Sequence, residues 1–236
     1  MAKEVLRPGA RLPEASGEGE IAAFVTQMKA RGGSGGSGRL IFALDATASR
    51  QPTWDRASHL QSEMFTAAKG LGGLSVQLVF YRGYQECKAS PWLSDSGELL
   101  RRMTSVTCRA GHTQIERVLR HAARQSRKAK VDALVFVGDA LEEALDDLGD
   151  AAGELGLLGV PCFMFHEGRN PGARRAFEEV AKLSGGACCS FDAVSPQQLR
   201  DLLGAVAAYA AGGRKALADY GASRGGPVAL LTRQVR

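Results

Sequence analysis

The sequence has no apolar run long enough to cross a bilayer; its longest apolar stretches are strand-sized. Nor does an apolar signal region follow Met1-Ala-Lys-Glu-Val-Leu-Arg-Pro8. These two absences predict a soluble, cytoplasmic protein with no membrane partner. There is no Cys-x-x-Cys pair: the five cysteines (Cys87, Cys108, Cys162, Cys188, Cys189) form an odd, unspaced set. Reduced thiols are expected, some of them packed in the core, and a zinc site is not. Catalytic signatures are missing too. Gly-x-Ser-x-Gly occurs at 32–36 and 221–225, but neither follows a strand as a nucleophile elbow must; no Gly-Lys-Ser/Thr occurs, and no Ser/His/Asp triad can be assembled by spacing. The glycine run of residues 31–38 precedes a strand, whereas a phosphate loop must follow one.

A basic body is also lacking. The net charge of +5 is carried mainly by the C-terminal residues 210–236, with five basic side chains and one acidic. Residues 39–209 hold 20 of each sign and are neutral, which weighs against nucleic acid as a partner. Arg117, Arg120, Arg124 and Arg127 do form a helical stripe, read as a solvated face.

What is present alternates. Apolar, strand-like runs lie at 39–44, 74–82, 84–90, 131–137, 160–165 and 187–191. Helical patterns lie between them. One covers 52–68, with Pro52 in its first turn. Another contains Leu99, Leu100 and Met103, capped by Ser94 or Ser96. A third runs from Gln114 to about Lys128, and a fourth carries Glu142, Glu143, Asp146, Asp147, Asp150 and Glu154. A fifth opens at Asn170 or Pro171 and closes at Gly185, and a sixth starts at Ser195-Pro196. The third strand returns as a hairpin. The expected fold class is therefore α/β: a doubly wound, mostly parallel six-stranded sheet with one antiparallel edge strand. Three segments are expected. Residues 1–38 form an arm, an amphipathic helix over 18–30 and a Gly/Ser linker; 39–209 form the α/β domain; 210–236 form a basic tail, with Lys215–Tyr220 as a helical turn and Val228–Leu231 strand-like and able to pair with a sheet edge.

Three loops at the carboxyl edge of this sheet carry chemistry. The first strand runs into Asp45-Ala-Thr47-Ala-Ser49, with an oxygen-bearing side chain at every second position. Gly111-His112-Thr113 precedes a helix, and Gly138-Asp139 directly follows a strand. Open α/β sheets place ligands at this edge. Two carboxylates and three hydroxyls suit a hard cation such as Mg²⁺.

Asp45, Thr47, Ser49, Thr113 and Asp139, in that order and on those loops, resemble the von Willebrand factor type A (VWA) domain and its metal-ion-dependent adhesion site (MIDAS). The resemblance covers roughly residues 39–209. It implies a Rossmann-like VWA fold, bound Mg²⁺ (or Mn²⁺ or Ca²⁺), and an open coordination position that takes an Asp or Glu from a protein partner. It further implies an intracellular adaptor or assembly factor, in company with an AAA+ ATPase or other multi-protein machinery, and no catalytic activity. Thr47 stands where the family usually has serine, and His112 beside Thr113 would shape the rim of the site. Two other readings remain. Taken singly, Asp45 could be a buried hydrogen-bonded carboxylate and the others helix caps: Ser49 before Pro52, Thr113 for the helix from 114, Asp139 for the one after it. A small metal-dependent phosphohydrolase could use the same site, with His112 as acid or base, although the Asp-x-Asp start of a phosphoaspartate enzyme is missing.

Overall fold

The structure, a computed structural model, describes residues 37–191 and 195–235. The arm, the amphipathic helix over 18–30 and most of the Gly/Ser linker lie outside them.

Six strands form one sheet: β1 Gly38–Asp45, β2 Leu74–Arg82, β3 Glu86–Leu93, β4 Ala133–Gly138, β5 Cys162–Glu167 and β6 Ala187–Phe191. Their order is β3-β2-β1-β4-β5-β6. All neighbours run parallel except β3, which returns antiparallel on β2. The expected α/β sheet with a single antiparallel edge is the one observed. β1 lies at the centre because its residues are apolar on both faces. Leu40, Phe42 and Leu44 point to one side, Ile41 and Ala43 to the other, and each is 1% exposed or less.

Two helical layers cover the sheet. One contains α1 Gln51–Leu60, α2 Ser62–Ala68, α3 Ser96–Thr104, α7 Pro196–Arg224 and α8 Gly226–Gln234. The other contains α4 Ile115–Lys128, α5 Leu145–Leu157 and α6 Pro171–Ser184. The helix expected over 52–68 is divided at Gln61, whose side chain donates to the Ser96 carbonyl at 3.0 Å. α3 is capped by Asp95, which accepts from the Glu98 amide at 2.8 Å. The two serines expected there only flank the cap, and a carboxylate is the stronger acceptor for that amide. Asn170 caps α6 as the sequence suggests, accepting from the Gly172 and Ala173 amides.

The C-terminal residues differ from their reading. α7 continues to Arg224 through a break at Gly213, whose φ of 69° is left-handed. Arg224 pairs with both Asp201 (3.4 Å) and Glu63 (3.6 Å), so part of the basic tail is neutralised on the domain. Val228–Leu231 is helical, not strand-like. Pro227 starts the helix, and Val228, Leu231 and Val235 recur at helical spacing and are buried. The free edge of β6 is nevertheless covered. The Gln234 side-chain amide accepts from Cys188 N (2.9 Å) and donates to Cys188 O (3.1 Å), as a paired strand would.

Candidate functional site at the carboxyl edge of the sheet

Parallel strands β1, β4 and β5 all end on the same edge, so Asp45, Asp139 and Glu167 arrive there together. Leu44 is in register with Val137, and Gly138 with His166. Asp45 is 3% exposed. Its Oδ1 accepts from the Thr47 amide at 2.7 Å, and the Thr47 hydroxyl also faces the carboxylate. Tyr81, in register with Asp45 on β2, is fully buried. Burial raises the Asp45 carboxyl above its ordinary value; the Thr47 amide and hydroxyl, the Arg50 charge and Tyr81 only partly oppose this. The Tyr81 phenol is pushed well above its usual range, by burial first and then by Asp45, Glu143 and Asp139. The loops after β1 and β4 therefore both act on this one ring.

Beyond Thr47 a 3₁₀ turn over Ala48–Arg50 leaves Ser49 exposed and turns Arg50 inward to 3% exposure. The Arg50 guanidinium lies 3.4 Å from Asp139 Oδ2 and pairs with Glu167 Oε2. The Thr53 hydroxyl donates to the same Glu167 oxygen. Ser49, Arg50, Thr53, Asp139, Glu167 and Arg169 line part of a cleft of about 1010 Å³.

The second loop is strapped across the end of β1. The Arg109 amide donates to Ala46 O at 3.0 Å, and the His112 amide to Gly83 O at 3.2 Å. Gly111 permits this approach, since a Cβ there would overlap the Gly83 carbonyl. Thr113 is 7% exposed and bonds reciprocally to the third loop: its hydroxyl accepts from the Glu142 amide (2.9 Å), and its amide donates to Glu142 Oε2 (3.0 Å). Those contacts hold the Glu142 carboxyl below its ordinary value, the Thr113 amide first and His112 next. His112 itself lies at the rim, 2.9 Å from Glu142 Oε2 and edge-on to the exposed Tyr84 ring at 5.1 Å.

Glu142 and Glu143 were expected on the acidic face of a helix. That helix starts only at Leu145, and both carboxylates turn back across the site. Glu143 accepts from the Ile115 amide (2.7 Å) and the Glu116 amide (2.8 Å), capping α4 with both oxygens. The cap readings of Ser49, Thr113 and Asp139 therefore lose their ground. Arg50 is the N-cap residue of α1, Gln114 of α4 and Ala144 of α5, each without a side-chain cap bond.

Asp45 and Thr47 thus meet directly, and Arg50 and Tyr81 tie Asp139 electrostatically to them. Thr113 is joined to the loop after β4, while Ser49 stands exposed at the cleft mouth. No hydrogen bond among the described residues links Thr113 or Ser49 to either aspartate. Sequence reasoning passed over Arg50, Tyr81, Glu143 and Glu167. Glu167 was within reach, because it ends β5 on the same edge as Asp139 ends β4. Of the remaining histidines, His166 is 1% exposed, lies edge-on to Phe177 at 5.7 Å, and is held below its ordinary pKa by burial. His121 bonds Gln77 Oε1 at 2.8 Å. The arginine stripe is partly paired, Arg120 with Glu116 at 2.6 Å and Arg127 with Glu154 at 2.9 Å.

An open sheet of this order, one antiparallel edge and helices on both faces define the Rossmann-like fold of VWA domains. No family model matches the chain, and no curated protein matches it. Solved structures do. The chain is similar to a von Willebrand factor type A protein from Catenulispora acidiphila, at 16% identity and a TM-score of 0.60, over 74% of this chain and 43% of that one. It is similar to the SpRpn10 VWA domain, at 16% identity and a TM-score of 0.55, over 70% and 93%. It is also similar to proximal thread matrix protein 1 of the mussel byssus with a zinc-occupied MIDAS motif, at 13% identity and a TM-score of 0.53, over 73% and 46%. The chain spans less than half the length of the first and third of these. At these identities the likeness is one of fold.

Among the described residues no three His, Cys, Asp or Glu side chains form a metal cluster. The candidate set is different, two carboxylates with three hydroxyls, and its chemistry fits a hard cation. Asp45 is buried, and no ion pair reaches it among the described residues. The Thr113 hydroxyl accepts one hydrogen bond and keeps a second lone pair. Asp139 is the exception, since Arg50 already pairs with it.

Proposed function

We propose that this chain is a protein-recognition module that binds a partner Asp or Glu through a divalent ion at the carboxyl edge of its sheet. Asp45, Thr47, Ser49, Thr113 and Asp139 would hold the ion, Mg²⁺ first and Mn²⁺ or Ca²⁺ as alternatives. When bound, it supplies net positive charge and an open position for an incoming carboxylate. Asp45 and Asp139 balance charge. The Thr47 amide orients Asp45, and the Glu142 reciprocal bonds fix Thr113. The rim of Tyr84 and His112 offers a partner aromatic area beside that position.

One observation carries the reading: the Asp45 carboxylate, taken out of water at the end of the central strand with hydroxyls and an amide around it but no ion-pair partner. A buried carboxylate without a cation is costly, and a bound cation removes that cost. Support also comes from the failure of the cap readings for Ser49, Thr113 and Asp139. The five free cysteines accord with a cytoplasmic setting, in which an AAA+ ATPase or another multi-protein assembly is the kind of partner to look for.

The test is affinity capture from the source cell, with and without chelator, comparing wild type with Asp45→Asn. The reading expects the same partners to be lost in both arms. Partners retained in the chelator and with Asp45→Asn would sink it.

A further inference from the structure

We propose that Arg50 is the resident cation of this site, and that a divalent ion binds only as Arg50 gives up Asp139. The inference rests on the metal reading above.

Arg50 directly follows Ser49, and the 3₁₀ turn over Ala48–Arg50 carries it beneath the loop, where it is 3% exposed. Its guanidinium lies 3.4 Å from Asp139 Oδ2, and its charge also acts on Asp45. It therefore pairs with one carboxylate of the candidate metal set and acts at longer range on the other. An ion held by Asp45 and Asp139 would meet this buried guanidinium at close range, where like charges repel. The two cations compete for one anion.

The arrangement provides Arg50 with somewhere to stay. Glu167 and Thr53 form a second anchor that no metal ligand shares. Asp139 is 31% exposed at the cleft, so its carboxylate has room to turn from the guanidinium toward an ion. The Arg50 Nε is buried with no hydrogen-bond partner, so the guanidinium is not saturated where it sits. Without metal, Arg50 neutralises Asp139 and keeps the edge ordered. With metal, Arg50 is held by Glu167 alone. Metal affinity is then reduced by the work of separating Arg50 from Asp139, as for any ligand whose competent state is a minor one.

The test is Mn²⁺ titration of the full chain by calorimetry, comparing wild type with the double variant Arg50→Met/Glu167→Gln. The double variant removes the guanidinium together with its buried counter-charge, so neither is left stranded. The expected result is affinity at least tenfold tighter in the double variant, lost again when Asp45→Asn is added. Mg²⁺ titration of the ¹⁵N-labelled wild type provides a reading that needs no variant: the Arg50 Nε–H resonance should shift and saturate with the metal. Equal Mn²⁺ affinities with an unmoved Arg50 resonance overturn this inference and leave the metal reading standing. No Mn²⁺ binding by either wild type or double variant overturns both.

Discussion

Asp45 and Glu167 end two strands of the same sheet and are almost equally withdrawn from water, at 3% and 6% exposed. Their surroundings differ. Glu167 receives a guanidinium from Arg50 and a hydroxyl from Thr53, so its charge is answered within the chain. Asp45 receives the Thr47 amide and hydroxyl, a neighbouring phenol and the longer-range charge of Arg50, and no ion pair reaches it among the described residues. Breaking a buried pair strands the remaining charge and is costly; a buried carboxyl without an ion pair is, under the function proposed above, a candidate seat for a cation. Asp139 stands between the two cases, close enough to Arg50 to be paired and exposed enough to exchange it.

The largest effect expected from breaking this contrast is at Glu167. Glu167→Gln removes the more buried of the two counter-charges of Arg50 and leaves it with Asp139 alone; about 3 kcal/mol should be lost in urea denaturation, most of it recovered when Arg50→Met is added. A loss under about 1 kcal/mol would place the pair with surface ion pairs and dissolve the contrast. Next is Gly111→Ala, which drives a methyl into the Gly83 carbonyl. A loss of about 1–3 kcal/mol is expected, with amide shifts at His112 and Thr113 by NMR. Smaller again is Glu143→Ala, which uncaps α4. About 1–2 kcal/mol should be lost in thermal denaturation, with amide exchange quickening at Ile115 and Glu116.

The smallest effect concerns Glu86, the partly exposed counterpart of Glu167. Arg82 and then Lys88 hold its carboxyl down to about 2, from 4.5. A lowered folded pKa stabilises above 4.5, and that contribution disappears as the pH falls through about 2. The stability difference between wild type and Glu86→Gln should therefore be flat above pH 4.5 and shrink below it. A difference that does not change with pH would mean that Arg82 and Lys88 do not hold Glu86 in solution.

Much of the fold was legible because the strands are short apolar runs between strong punctuation, such as Pro52, Gly185 and Ser195-Pro196. The C-terminal residues misled because Val228-Ala-Leu-Leu-Thr has strand-forming composition, whereas its burial recurs at helical spacing. Asp45, Thr47, Ser49, Thr113 and Asp139 stand out in the sequence by their loops at the carboxyl edge, and as ligands they are the proposal made above. Arg50 and Glu167 could not be paired from sequence, since 117 positions separate them and only the order β1-β4-β5 brings them together. Glu142 and Glu143 looked like the start of an acidic helix. Their reach back to Thr113 and α4 depends on where that helix begins, which composition leaves open.

The most direct test of the unpaired carboxylate is Mg²⁺-dependent thermal stability of wild type beside Asp45→Asn, each in chelator and in saturating Mg²⁺. At about a hundred times Kd, Mg²⁺ should add ~2.7 kcal/mol to the wild type. Asp45→Asn should show no Mg²⁺ gain and, in chelator, be at least as stable as the wild type, because a buried charge has been removed. Equal Mg²⁺ stabilisation of both proteins, or a large loss from Asp45→Asn in chelator, would contradict the account.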